Sequence, residues 1–343
     1  MKRSFFAKMI SLADLLLLIF CFSFHIPQAQ GASKPEFTLR IAGTMPIGHF
    51  MTRQKERYAQ ILDEKTGGRL KIEVYPAGQL FSDKDMTRAL PAGSVEMGAC
   101  NLALLEGLVP VLGIMGLPYF FESREHIRKV EHSPKFMQLI NEELEKKNMR
   151  LIFWMDYGLM SFISKKLLHK LEDFKGKRIR VLGDITTQLI QAFGGAPVFM
   201  GTGETYMALQ RGTIDGVLTS LPSVYERKLF EVAKQMTFCE IQDILVTPAV
   251  LINLKIWKGL PPEIQKAMYD VGQNVEEWGF KESLKETDEC LSELKKRGVE
   301  VYYLPDSEKK RWKEAANKPI LSYYLKQVGE PGKKAVEEVD RLR

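Results

Sequence analysis

The sequence predicts an α/β protein of two similar lobes, joined by crossing strands and spanned by one long helix. Three observations carry this expectation. A strand–helix order ending in Ala-Leu-x-x-Gly-[Ser/Thr]-[Val/Ile]-[Asp/Glu] occurs twice, at Ala89 and again at Ala208. Two apolar segments, 150–157 and 245–254, pass between the halves in which those copies lie. A helical pattern runs unbroken from Pro262 to Arg297, roughly 54 Å at 1.5 Å per residue.

The chain opens with a basic start (Lys2, Arg3, Lys8), an apolar run from Leu15 to Phe24, and small residues at Ala29 and Gly31. That order describes a secretory signal peptide over 1–31, cleaved before Ala32. The run is short for a membrane span, which leaves an uncleaved anchor as the alternative. A lipoprotein site at Cys21 is disfavoured because Phe20 stands where a small residue is needed.

In the first half, Phe37, Leu39 and Ile41 alternate as a strand that ends at Gly43-Thr44-Met45-Pro46. A helix follows with Met51, Tyr58, Ile61 and Leu62 on one face, closed by Gly67-Gly68. Leu70, Ile72 and Val74 make a second strand; a further helix leads to a third strand over 95–98. The order returns with a strand over 178–181, a helix capped by Asp184 and ending at Gly194-Gly195, a strand over 197–200 and a helix over 204–211. In both copies a glycine at the helix end precedes a β-branched strand entry, as a left-handed C-cap requires. The expected division is lobe I over 32–156 with about 243–280, and lobe II over 157–242 with about 281–343.

On the long helix, Ile264, Met268, Val271, Val275 and Trp278 share one face, while Phe280, Leu284, Thr287, Leu291 and Leu294 share another about 200° away. A change of face suits a helix that packs on one lobe and then on the other. Packing on a partner subunit competes with that reading, so monomer and homodimer both stay open.

Composition excludes several function classes. The 49 Lys and Arg against 43 Asp and Glu give +6, but three of the positive charges lie in the leader and the rest are scattered. No basic cluster is interleaved with aromatics, so no nucleic-acid partner is expected. Cys100, Cys239 and Cys290 are odd in number and widely spaced, which favours buried thiols and allows at most one pair. The five histidines show no metal-ligand spacing, and His126 and His132 lie on a charged helix where solvation is expected. There is no nucleophile elbow or complete dinucleotide fingerprint, and Gly201-Thr-Gly203 reads as a turn. No catalytic residue, cofactor or metal is expected.

The strongest local signal is Gly176-Lys-Arg-Ile-Arg-Val181. With a period of two, Ile179 and Val181 face the core, and Arg178 and Arg180 share the opposite face. An arginine at a cleft edge can hold a carboxylate by two parallel hydrogen bonds. Spacing alone serves equally for two solvated arginines.

The chain resembles the DctP-type solute-binding proteins of tripartite ATP-independent periplasmic (TRAP) transporters. The resemblance is carried, in order, by Glu64–Leu80, Gly93-Ser-Val-Glu-Met97, Leu117-Pro-Tyr-Phe-Phe121, Gly176–Val181, Glu204–Gly216 and Leu260-Pro-Pro-Glu-Ile-Gln265. It implies a periplasmic-binding-protein-like fold and a receptor that closes on an organic acid and delivers it to membrane permease subunits. It also places the family's carboxylate-binding arginine on Arg180. Two departures bear on the ligand. Gly158-Leu-Met160 puts Met160 where many members carry a second arginine, and Thr219 stands where the family's carboxylate-gripping Asn is found. Thr202 falls near a phenylalanine of the sialic-acid pocket. With one matched arginine, the ligand expected is a monocarboxylate with an apolar or aromatic body. By position alone, Thr44, Asn101 and Trp154 join the candidate ligand-binding residues, Trp154 either as a stacking platform or as a buried hinge residue. An exported enzyme acting on a similar acid, or a receptor that reports to a sensor, are the other readings.

Overall fold

The computed structural model describes residues 34–239 and 246–343. The signal peptide, its cleavage site, Cys21 and the start of the second crossing segment lie outside the described residues. The first part of the chain runs β1 (Phe37–Ala42), α1 (Phe50–Thr66), β2 (Leu70–Tyr75), α2 (Asp83–Ala92), β3 (Met97–Asn101), α3 (Arg124–Glu131), α4 (Pro134–Glu145) and β4 (Met149–Trp154). The second comprises β5 (Met160–Ser164), β6 (Arg178–Val181), α5 (Asp184–Ala192), β7 (Ala196–Phe199), α6 (Thr205–Arg211), β8 (Gly216–Ser220), α7 (Leu221–Glu226) and β9 (Gln235–Phe238). Then follow β10 (Pro248–Asn253), α8 (Pro262–Lys296), β11 (Glu300–Tyr303), α9 (Asp306–Val328) and α10 (Glu330–Arg341).

These strands form two sheets, ordered β2-β1-β3-β10-β4 and β11-β9-β5-β8-β6-β7. Each sheet mixes parallel pairs with one antiparallel insert. In the first, β10 lies antiparallel between β3 and β4. In the second, β5 lies antiparallel between β8 and β9. Both inserts follow a crossing, so each lobe is completed by chain arriving from the other. The two echoed motifs close in the same way: Gly93 and Gly212 adopt φ of 77° and 73°, and their N–H groups return to the carbonyls of the last helical turn. A side chain there would sit in the left-handed region that glycine enters freely.

Element boundaries move by one to three residues from the expected ones. The third strand starts at Met97, and Gly183, not Asp184, occupies the N-cap of α5. The first crossing strand stops at Trp154, and the link that follows is pinned at Asp156. Its backbone exchanges hydrogen bonds with the Gln54 amide (2.7 and 3.1 Å), and its carboxylate accepts from Gly158 N–H at 2.8 Å and pairs with Arg124.

The expected change of face on the long helix does not occur. The buried stripe of α8 runs through Ile264, Met268, Val271, Val275, Gly279, Ser283, Thr287, Cys290 and Leu294. These steps of three and four residues drift by about 120° over the helix instead of flipping. Leu284 is 50% exposed, and Phe280 lies beneath the guanidinium groups of Arg124 and Arg128. Reading only large apolar residues hid a stripe continued by small and hydroxyl side chains. The helix nevertheless touches both lobes, packing on α1 and β4 of the first and α7 of the second.

Of the two histidines expected in solvent, His132 is exposed and His126 is not. His126 is buried, with Nε2 at 3.1 Å from Val339 O and Nδ1 accepting from Glu122 N–H. His132 sits 2.7 Å from the Glu276 carboxylate. The α10 helix rests on α4, so its contacts consume polar groups that composition alone assigns to solvent. In the second lobe Trp312 of α9 is fully buried against Phe162, Phe174 and Phe193. Cys100 and Cys290 are buried free thiols, and Cys239 is buried. Among the described residues no helix is long and apolar enough to cross a membrane.

Candidate ligand cleft

Strand alternation places the two arginines of β6 on one face, but their environments differ. Arg178 lies on the surface and makes a two-pronged pair with Asp215 (3.1 and 3.0 Å). Arg180 is 2% exposed, and its guanidinium donates to Met200 O at 3.1 Å and to Thr202 Oγ1 at 3.0 Å. It has no ion pair with a carboxylate among the described residues. Burial, and then the nearby Arg227, bring its pKa down to about 10. Arg227 is held in the same way: Nη2 donates to Thr202 O, while Nη1 is buried with no partner among the described residues. Neither desolvated guanidinium is bonded to a carboxylate among the described residues, although Asp83 acts on both from a distance, and a buried charge without a bonded partner is costly.

Thr202, bonded to both arginines, forms part of a cavity wall. The opposite wall comes from the first lobe: Thr44 and Gly43 after β1, Lys55 on α1, Asp83 at the start of α2, and Asn101 at the end of β3. Met45, Met51, Ala99 and Pro248 supply its apolar surface. With about 20 Å³ of space, the cavity has room for about one water, so an organic acid enters only when the lobes part. Asp83 holds them together. Its carboxylate accepts from Thr44 Oγ1 at 2.5 Å and from the Thr202 backbone N–H at 2.8 Å.

Tyr157, in the first crossing link, lines the same cavity and anchors a buried relay. Met51 N–H donates to His49 Nδ1, which places the imidazole proton on Nε2, 2.9 Å from Ser223 Oγ. Ser223 donates to Tyr157 Oη at 2.9 Å, and Tyr157 in turn donates to Thr219 Oγ1 at 3.0 Å. Burial, assisted by Arg227, Lys55 and Arg53, lowers the His49 pKa to about 3. The ring is therefore neutral, and its 3.4 Å approach to Glu226 is not an ion pair at neutral pH.

The structure thus brings Thr44, Asn101 and Thr202 together on one cavity, with Arg180 immediately behind Thr202. Thr219 reaches the cavity only through Tyr157. Met160 is a buried core residue of β5 and does not line it. Trp154 is buried and does not line this cavity but a second one that also reaches Tyr157, its Nε1–H donating to Glu131 O at 3.1 Å and its ring near Phe136. Lys55, Asp83, Tyr157 and Arg227 are additions from the structure. For Lys55 a sequence signal exists: it falls four residues after Met51 and three before Tyr58, on the apolar face of α1.

A family model described as "Bacterial extracellular solute-binding protein, family 7" (DctP) matches residues 41–327. The C4-dicarboxylate-binding protein DctB of Bacillus subtilis is 26% identical over 292 residues, covering 84% of this chain and 81% of the relative. Among solved structures, a TRAP periplasmic solute binding protein from Desulfovibrio salexigens with bound orotic acid superposes with a TM-score of 0.84 at 24% identity, covering 89% of this chain and 99% of that one. The Bordetella pertussis extracytoplasmic solute receptor DctP7, binding pyroglutamic acid, gives 0.81 at 22% identity, with 88% and 99% covered. At these identities the likeness to both structures is one of fold.

Proposed function

The chain belongs to the DctP family of bacterial extracellular solute-binding proteins, which are transport receptors and not enzymes, and on that premise we propose that it binds an organic acid in the interlobe cleft and passes it to the permease subunits of a TRAP transporter. The carrying observation is the pair of buried guanidiniums, Arg180 and Arg227, both bonded to Thr202 and neither ion-paired among the described residues. When the lobes part, a ligand carboxylate replaces the Thr202 hydroxyl on Arg180 and supplies the missing counter-charge. Closure then removes water from the pair, which strengthens it. The body of the ligand rests on Met45, Met51, Ala99 and Pro248.

The expectation of a single carboxylate rested on there being one cation in the cleft. Arg227 and Lys55 remove that ground, while the apolar wall keeps the case for a compact, partly apolar body. Export follows from residues 1–31, and N-terminal sequencing of the secreted protein, beginning at Ala32, tests it.

The decisive experiment is a thermal-shift screen of carboxylic acids, repeated on Arg180→Ala and Arg180→Gln. Stabilisation of the wild type and its loss in both variants are expected. A wild type that no carboxylate stabilises, or variants that bind as well as the wild type, would overturn this reading.

A further inference from the structure

Lys55 is the most unusual residue of the cleft. It is 1% exposed, lines the cavity, and has neither a hydrogen bond nor an ion pair among the described residues. Its setting accommodates the ammonium group: a Cβ on Gly43 would fall 2.3 Å from Lys55 Nζ, so any other residue at 43 would displace it. Among the described residues no carboxylate is bonded to it. Asp83, on the same cavity, is engaged by Thr44 and Thr202. Cys100, with its thiol pushed up to about 12 by burial, is uncharged, as is His49. Glu56, the next residue on α1, is exposed. A buried ammonium left in this state awaits an acceptor from outside the fold.

We propose that Lys55 forms a second cationic subsite of the cleft, which takes a second acidic group of the bound ligand. The proposal rests on the reading of Arg180 as the first. Lys55 belongs to the first lobe and Arg180 to the second, so a ligand with two acidic groups bonds to both walls and draws them together. A ligand with one acidic group satisfies Arg180 and leaves Lys55 buried and unpaired. Lys55 therefore sets specificity and Arg180 sets the basic affinity for acids.

The test uses acid pairs with matched skeletons: succinate with butyrate, glutarate with pentanoate, adipate with hexanoate, and phthalate with benzoate. Affinities are measured by calorimetry on the wild type, Lys55→Met, Lys55→Gln and Arg180→Ala, each checked for folding by circular dichroism. For at least one pair the wild type binds the diacid about tenfold or more tightly than the monoacid, the size of effect a desolvated charge pair gives. Both Lys55 variants abolish this preference, bringing the diacid down to the level of the monoacid measured on the same variant. A wild type without diacid preference, or Lys55 variants that keep it, would overturn the proposal. If no acid of either kind binds, or if Arg180→Ala binds both unchanged, the Arg180 reading fails and the Lys55 subsite falls with it.

Discussion

The backbone N–H of Thr202 donates to the Asp83 carboxylate at 2.8 Å, so a single hydrogen bond links the start of α2 in one lobe to the loop before α6 in the other. Beside it, Lys84 lies 3.1 Å from Glu204, but these side chains are 44% and 58% exposed and their pair adds little to closure. The Asp83 bond is charge-assisted and is worth about 1.5–3 kcal/mol. Asp83→Ala is expected to shift the ligand-free protein toward the open form by about ten- to a hundredfold. Small-angle scattering reads this as a larger radius of gyration without ligand and a normal one with it. An unchanged ligand-free radius would show that closure is held elsewhere.

Tyr157→Phe tests the relay. The substitution leaves the Ser223 hydroxyl without its acceptor and Thr219 Oγ1 without its donor, both in buried surroundings. A loss of about 1–3 kcal/mol is expected, seen as a lower urea midpoint with an unchanged slope. Ligand affinity falls as well, because Tyr157 lines the cavity and sits beside Arg227. Full stability in this variant would mean that the relay is slack.

That Arg178 and Arg180 share one face was legible in sequence, because strand alternation is strict and Ile179 and Val181 are committed to the core; that Arg180 is the buried one was not, and the family resemblance alone pointed to it. Asp83 was not legible, since Ser82-Asp83-Lys84-Asp85 has the form of a helix N-terminus, and Ser82 does cap α2. Nothing local shows that the second residue also reaches across a cleft. Lys55 was hidden among Arg53, Glu56 and Arg57, where charge suggested a solvated face although its phase matched Met51 and Tyr58. That Thr219 stands one hydrogen bond behind the cavity had no local signal, because its partner Tyr157 is 62 residues away in sequence. The long helix misled for the opposite reason, its buried stripe being completed by Gly279, Ser283 and Thr287 where apolar periodicity gives no signal.

Acid should loosen the docking of α10. The Glu338 carboxylate is fully buried and bonded to Arg341, to Ser133 at 2.6 Å and to Lys135 at 3.3 Å. Arg341 foremost lowers its pKa from 4.5 to about 2. The folded value lies below the unfolded one, so the stabilisation is complete above about pH 4.5 and disappears as pH falls toward 2. Its full size is at most about 3 kcal/mol. Urea midpoints at pH 6 and pH 3 are expected to differ less in Glu338→Gln than in the wild type. Equal differences in the two proteins would assign the acid response to other carboxylates.

Binding of a diacid should draw in protons near pH 8. Burial lowers the Lys55 pKa from 10.5 to about 8, against smaller upward effects of Glu56 and Cys100. The other charged or titratable groups around it are His49 at the start of α1, Asp83 from α2 and Tyr157 from the crossing link. For a base whose folded pKa is depressed, the cost of burial is full below about pH 8 and is relieved as pH rises from there toward 10.5. The ligand-free protein therefore gains stability from this group over that window, and Lys55→Met removes the gain. A second acidic group at Nζ acts in the other direction: it favours the ammonium, raises its pKa, and draws in a proton from solvent. Binding of a diacid at pH 8, where Lys55 is about half protonated, should then show a heat that varies with the ionisation enthalpy of the buffer, reporting up to about half a proton taken up. At pH 6.5 the ammonium is already formed and the uptake assigned to Lys55 disappears. Lys55→Met abolishes the uptake at pH 8. Uptake that persists in Lys55→Met would place the titrating group elsewhere in the cleft.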